Sequence, residues 1–232
     1  MSKTVRERGK DRRRRRILDA AKLILAEEGL EGLTTRKLAD RADVSVATLY
    51  NVLGSKEEII KAVLLELQQV THEAINRIEH KSPVERIVGF ADALCEVLSI
   101  DSGKIDQPLQ RALLLIGYQQ KFSPEIVKAT AIDSMTLLEQ SIAEAQEKGL
   151  ILDTLHGPFI ADQIFRTINA SIRDYLLNRL TESQLRAVMI YNIWLILASV
   201  ASRKTRAKYL RMLTEEDQHM KNSGLHSAYK PD

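Results

Sequence analysis

The segment from Thr34 to Lys56 holds the residues whose types and spacing do the most chemistry. It reads T-T-R-K-L-A-D-R-A-D-V-S-V-A-T-L-Y-N-V-L-G-S-K. Hydroxyls at Thr34, Ser45 and Ser55 each precede a stretch of helical periodicity. There a side-chain oxygen accepts from a backbone amide of a helix's first turn, which has no intrahelical partner. Leu38 and Ala42 share one face of the first stretch, and Leu49 lies on the inward face of the second. Ala39 is small where a second helix would cross, and Val44 fills the corner. Two short helices joined by a tight turn specify a helix-turn-helix, whose second helix carries its first residues to base edges in the major groove. Those residues are Val46, Ala47 and Thr48. Small apolar groups suit thymine methyls, and Thr48 can reach a base edge or a phosphate. No Arg, Lys, Asn or Gln precedes Asn51 on this stretch. Much of any affinity must then come from phosphate contacts.

The counter-charge for phosphate stands upstream. Lys3, Arg6, Arg8, Lys10 and Arg12 through Arg16 face only Glu7 and Asp11. The first sixteen residues thus carry about +7 and the rest −4, for a chain whose net charge is +3. Such arms bind nucleic acid, and a solvated disordered tail is the alternative.

Other chemistries lack their residues. His72, His80, His156, His219 and His226 are scattered, and His72-Glu73 has no second histidine at metalloprotease spacing. Cys95 is the single cysteine, which excludes a disulfide within the chain and a cysteine zinc site; it reads as a small buried hydrophobe. There is no phosphate-binding loop, Gly-rich dinucleotide turn or nucleophile elbow. The expectation is a protein that is not an enzyme, with no catalytic residues, cofactor or metal.

The elements that position these residues are helices. Strand signals are scarce, with five Pro and ten Gly among 232 residues, 44% hydrophobic and 5% aromatic. Start and stop signals predict helices over about 12–28, closed by Gly29, then 34–42, 45–52 and 55–79. Further helices follow over 82–99, 108–122, 123–149 (closed by Gly149), 158–178, 181–202 and 205–212. The fold class is all-α: a three-helix head, then a larger helical bundle. The charge-free run Ala187–Ala201 falls short of the roughly 18–20 residues that span a bilayer, and no signal peptide is visible. The chain reads as soluble and cytoplasmic, with no membrane partner.

At residues 12–65 the chain resembles the TetR family of transcriptional regulators. The matching residues are Thr34, Leu38-Ala39, Ala42, Val44-Ser45, Leu49-Tyr50 and Ser55-Lys56-Glu57. Asp43 replaces the usual turn glycine, at modest cost because Asp tolerates the left-handed conformation. Val52-Leu53 replaces an aromatic-containing pair. The resemblance implies that Thr34 and Ser45 cap helices facing phosphates, that Tyr50 and Lys56 contact the backbone, and that Arg36 reaches backbone or a base edge. Arg14 and Arg16 of the arm are expected on DNA as well, in an adjacent minor groove. It further implies a repressor, homodimeric on a near-palindromic double-stranded operator and released by a small, largely apolar effector. The domains are then a basic disordered arm at 1–11, the DNA-binding head at 12–57, a ligand-binding and dimerisation region at 58–213, and a mobile tail at 214–232.

The helices predicted at 158–178 and 181–202 are apolar nearly all round, so they need a partner beyond their own domain. Ile164, Ile168, Ile172, Tyr175, Met189, Ile193 and Ile196 are expected at a four-helix dimer interface. Pocket candidates are Phe90, Leu94, Val97, Leu113, Gly117, Ile126, Thr130 and Leu137, although apolar residues at this spacing are most often core. Two alternatives stay open: an architectural or adaptor DNA-binding protein without an effector, and a helical dimer whose head has lost DNA binding.

Overall fold

The structure is a computed structural model that describes residues 4–99, 106–118 and 124–225, with side chains at all of these but 5–6, 114–118 and 124–131. Among the described residues there are ten helices: α1 (Val5–Gly32), α2 (Thr35–Arg41), α3 (Val46–Leu53), α4 (Lys56–Asn76), α5 (Pro83–Leu98), α6 (Gln107–Tyr118), α7 (Pro124–Glu147), α8 (Gly157–Leu176), α9 (Glu182–Ser199) and α10 (Arg206–Asn222). One isolated bridge, Ile151 with Ala201, is the β-type pairing found among them. No helix of the described residues is long and apolar enough to cross a membrane. The chain divides into two compact units, residues 1–69 with 105–130, and residues 70–104 with 131–232.

In the first unit, α1 begins seven residues earlier than its periodicity suggests, inside the segment expected to be a disordered arm. The reason is local. Thr4 and Glu7 form a capping box: the Glu7 amide donates to Thr4 Oγ1 at 3.2 Å, and the Thr4 amide donates to Glu7 Oε2 at 2.7 Å. Arginine is a good helix former, so the basic run continues the helix rather than breaking it. Gly29 does end the regular turn, at φ 66°. Ile17, Leu18, Ala21, Ile24 and Leu25 lie on one face of α1, each at most 1% exposed. They pack in one core with Leu33, Leu38, Leu49, Leu53, Ile59 and Val63, closed by Leu109 and Leu113 of α6. Leu113, expected at a ligand pocket, is thus part of the head's core. That packing also explains why residues 105–130 join the first unit rather than the bundle.

The second unit is built around α9, which packs against α8, α5 and α10. Ser82 and Glu85 cap α5, with Pro83 in its first turn, and Thr181 with Gln184 caps α9. Arg86 of α5 reaches α7: its Nε donates to Ser141 Oγ at 3.0 Å, and its guanidinium pairs with Glu144. Hydrogen bonds from Lys148 and then Arg86 hold the Glu144 carboxyl below its ordinary range. The segment after Thr214, expected to be a mobile tail, is helix to Asn222. Lys221–Asp217 at 2.5 Å is one of its (i, i+4) pairs, and Gln184 Nε2 donates to Ser223 O at 3.1 Å just past its end. Residues 226–232 of that tail lie outside the described residues.

The same packing corrects the expected dimer face. Ile164, Ile168, Met189 and Ile193 are at most 1% exposed, and Tyr175 is buried with its hydroxyl on Leu98 O at 3.4 Å. They are core of their own unit. A helix apolar on nearly every side does not reveal which stripe faces inward. The outward apolar side chains are Phe159 at 69% exposure and Leu195 at 46%, with Ile172 and Ile196 half-buried. Of the remaining pocket candidates, Phe90, Leu94, Val97 and Leu137 are buried in the second unit. The side chains of Gly117, Ile126 and Thr130 lie outside the described residues.

Candidate nucleic-acid interface

The head presents α3 through three local devices. Ser45 caps it: the Thr48 amide donates to Ser45 Oγ at 3.1 Å. Thr34 does the same for α2, accepting from the Lys37 amide at 3.3 Å. Between them the turn passes through Asp43 at φ 49° and closes with the Val44 amide on Ala39 O at 3.0 Å. Leu49 and Leu53 anchor one side of α3 in the core, and Val52 packs against it half-buried. The opposite side is open. Val46 is 40% exposed and Tyr50 54%, with Ala47 and Asn51 exposed beside them. Thr48 is half-buried, its Oγ1 2.8 Å from Ser45 Oγ. Its hydroxyl serves the helix end as well as anything approaching from outside.

The cations divide into two groups. Arg14 and Arg36 are exposed, as are Arg12, Arg13 and Arg15. Lys56 and Arg16, also expected on DNA, are tied to the protein. Lys56 Nζ donates to Leu30 O at 2.8 Å, across the kink at Gly29. Arg16 Nη2 lies 2.6 Å from Ala42 O, 2.7 Å from Asp43 O and 2.7 Å from Asp43 Oδ2. Nearby, Arg41 grips Glu27 with two bonds at 2.6 and 2.7 Å, and Lys37 pairs with Glu28. The hydrogen bonds from Arg41 hold the Glu27 carboxyl below its ordinary range and raise Arg41 in turn. These two pairs join α2 to α1, so the frame that aims α3 is fixed by both packing and charge.

Thr4, Glu7, Lys10 and Arg13 of the α1 extension and Thr48, Asn51 and Val52 of α3 line one groove of about 620 Å³. Lys10, Arg13 and Asn51 were not singled out as contacts. The signal for Asn51 was present: it stands three and four residues after Thr48 and Ala47, on the same helical face. Lys10 and Arg13 needed the helical extension to be recognised, because only a helix places them three apart on one side. Elsewhere, the Cys95 thiol contacts Met189 Sδ at 4.0 Å, and burial pushes it up to about 12. That environment suits a packing residue, not a reactive thiol.

Residues 17–63 match the family of bacterial regulatory proteins called tetR. The chain is 32% identical over 142 residues to the HTH-type transcriptional regulator UidR of Escherichia coli K12, covering 60% of this chain and 68% of that one. It is 34% identical over 103 residues to the HTH-type transcriptional repressor KstR of Mycobacterium tuberculosis, covering 44% of this chain and 43% of that one. The match thus spans less than half of KstR. Among solved structures, SmeT, the repressor of the Stenotrophomonas maltophilia multidrug efflux pump SmeDEF, superposes with TM-score 0.65 at 19% identity, over 82% of this chain and 91% of that chain. A TetR family transcription regulator from Marinobacter aquaeolei superposes with TM-score 0.61 at 23% identity, over 86% and 100%. With a matching head, a relative aligned over two thirds of its length and the same helical architecture, the chain belongs to the TetR family of bacterial transcriptional regulators.

Proposed function

We propose that the protein is a repressor that binds a near-palindromic double-stranded operator as a homodimer and lets go when a small, largely apolar effector binds. The observation that carries this reading is the exposed leading face of α3, Val46, Ala47, Tyr50 and Asn51, set in a head that also holds the arginine run. Val46 and Ala47 meet base edges, with thymine methyls as their natural partners. Tyr50, Arg14 and Arg36 serve the phosphate backbone, and Thr34 and Ser45 hold the helix ends. The names of KstR and SmeT as repressors agree with the sign of control.

The homodimer forms across the outer face of α8 and α9, where Phe159 and Leu195 are exposed and Ile172 and Ile196 half-buried. Two heads then read two half-sites about one helical turn apart or slightly more. An effector that binds one head separation better than the other shifts the population away from the DNA-competent state. Its site lies in the apolar interior to which Phe90, Leu94, Val97 and Leu137 belong.

A second reading, an architectural or adaptor protein without an effector, draws on the small size of Val46 and Ala47, which leaves little hydrogen-bonded base readout. Selection from a pool of randomised duplexes separates the two. The repressor reading expects enrichment of one near-palindrome, bound by two protomers and released by a compound from an apolar small-molecule panel. Retention of the pool without enrichment sinks it in favour of the architectural role.

A further inference from the structure

We infer that Arg16 is a positioning residue of the head: it locks the turn between α2 and α3 and contributes no phosphate contact, although it belongs to the arginine run. The inference rests on the DNA-binding reading for its second test and on the fold alone for its first.

Three observations carry it. The turn needs one residue at positive φ, and Asp43 fills that place at φ 49°, where glycine has no steric cost and other residues do. The end of α2 also leaves carbonyls without intrahelical partners. A single nitrogen answers both needs. Arg16 Nη2 lies within 2.7 Å of Ala42 O, Asp43 O and Asp43 Oδ2. It has two N–H groups for three acceptors, so one is shared. A left-handed Asp43 thereby gains a partner that glycine could not have, since only a side-chain carboxylate supplies the third acceptor.

Arg16 is well placed for this. Ile17 and Leu18, which follow it, are 0% and 1% exposed in the core. Its backbone is anchored, and its side chain reaches the turn from a fixed origin. The turn in turn sets the angle at which α3 leaves α2. The charge has a separate consequence. Arg16 faces Asp43 at 2.7 Å, so it has its counter-charge before DNA arrives and releases no counterion on binding. Arg12 through Arg15 are exposed and do.

The first test uses full-length protein without DNA. Amide hydrogen exchange in Arg16→Ala should rise roughly tenfold or more at Ala42, Asp43 and Val44, the amides of the turn, while Ile24 and Leu25 in the α1 core stay as in the parent. Arg16→Lys, a single ammonium in place of the fork, should fall between. Unchanged exchange in the turn overturns the inference, whatever the protein does with DNA. The second test measures affinity against salt on a preferred duplex and a scrambled one. Arg16→Ala should narrow the ratio between the two duplexes about tenfold and leave the slope of log affinity against log salt unchanged, whereas Arg14→Ala should reduce that slope by about 0.9. An equal loss of slope in Arg16→Ala makes it a phosphate contact and refutes the inference. Asp43→Gly should preserve the ratio and soften the effect of Arg16→Ala; effects that simply add refute the coupling. If the parent shows no preference between duplexes, the DNA-binding reading fails, and the exchange test still decides the role of Arg16.

Discussion

Gly9 offers a direct test of the α1 extension, because it weakens the helix at a point where nothing prevents a side chain. A Cβ built on Gly9 meets only the Arg13 guanidinium, at 3.9 Å, an ordinary contact. Gly9→Ala therefore gains the intrinsic helix preference of alanine, about 0.8–1 kcal/mol, with no steric cost. That corresponds to a roughly fivefold larger ratio of helix to frayed arm. Gly9→Pro does the opposite: it removes an amide donor, clashes with the preceding turn and costs about 3 kcal/mol in a helix interior. Neither change alters the charge, so the salt slope of DNA binding should be the same in all three proteins. Amide exchange across residues 5–16 reads the helix, and equilibrium binding at fixed salt reads its use. Gly9→Ala should protect these amides a few-fold and tighten DNA binding. Gly9→Pro should expose Thr4 through Arg8 to exchange and weaken binding, because Lys10 and Arg13 lose their common groove with Thr48 and Asn51. If Gly9→Pro binds as the parent does, the arm works as a flexible tether and the helical wall has no part in recognition.

Three further outcomes are expected. Leu49→Ala, at a site 1% exposed beneath the recognition helix, should destabilise the head by about 2–5 kcal/mol in denaturant unfolding; a loss below about 0.5 kcal/mol would mean the helix is not seated on this core. Phe159→Asp and Leu195→Asp should give a folded monomer at micromolar concentration by light scattering, whereas Ile193→Asp, at 0% exposure, should unfold the second unit; a dimeric double variant Phe159→Asp/Leu195→Asp would remove this face from the interface. The Cys95 thiol, raised by burial from 9.0 to about 12, keeps its proton in the folded protein at pH values where the unfolded chain has lost it. Its contribution to stability is therefore complete below about pH 9 and is lost as pH rises toward 12. Alkylation at pH 8 should be slow until the protein unfolds, and fast labelling of the native protein would contradict the burial.

The head was legible because its signals are local. Thr34 and Ser45 announce helix starts through hydroxyls, and Gly29 marks the stop through its positive φ. The left-handed turn at Asp43 followed from the place it occupies between two periodic stretches. The arm was misread although Thr4 and Glu7 have capping-box spacing, since a dense charge run looks like a solvated tail by composition. Arg16 and Lys56 show a different limit. Their type suits phosphate equally well, and only the fold reveals that the Asp43 and Leu30 carbonyls are within reach. In the bundle, periodicity identifies helices but not neighbours: Leu113 has the same pattern as Leu137 yet belongs to the core of the other unit. The α8 and α9 stripes are equally apolar on their inner and outer sides, so burial was needed to separate Ile164 from Phe159.

The central claim is that α3, framed by the basic α1 extension, reads DNA sequence. Its most direct test is the equilibrium affinity of the full-length protein for its selected duplex and for a scrambled duplex of the same composition, both at about 150 mM salt. The account predicts a preference of roughly a thousandfold or more, reduced by changes at Val46 or Ala47 and left in place by Tyr50→Ala, which should weaken both duplexes alike. Equal affinity for the two duplexes would contradict it.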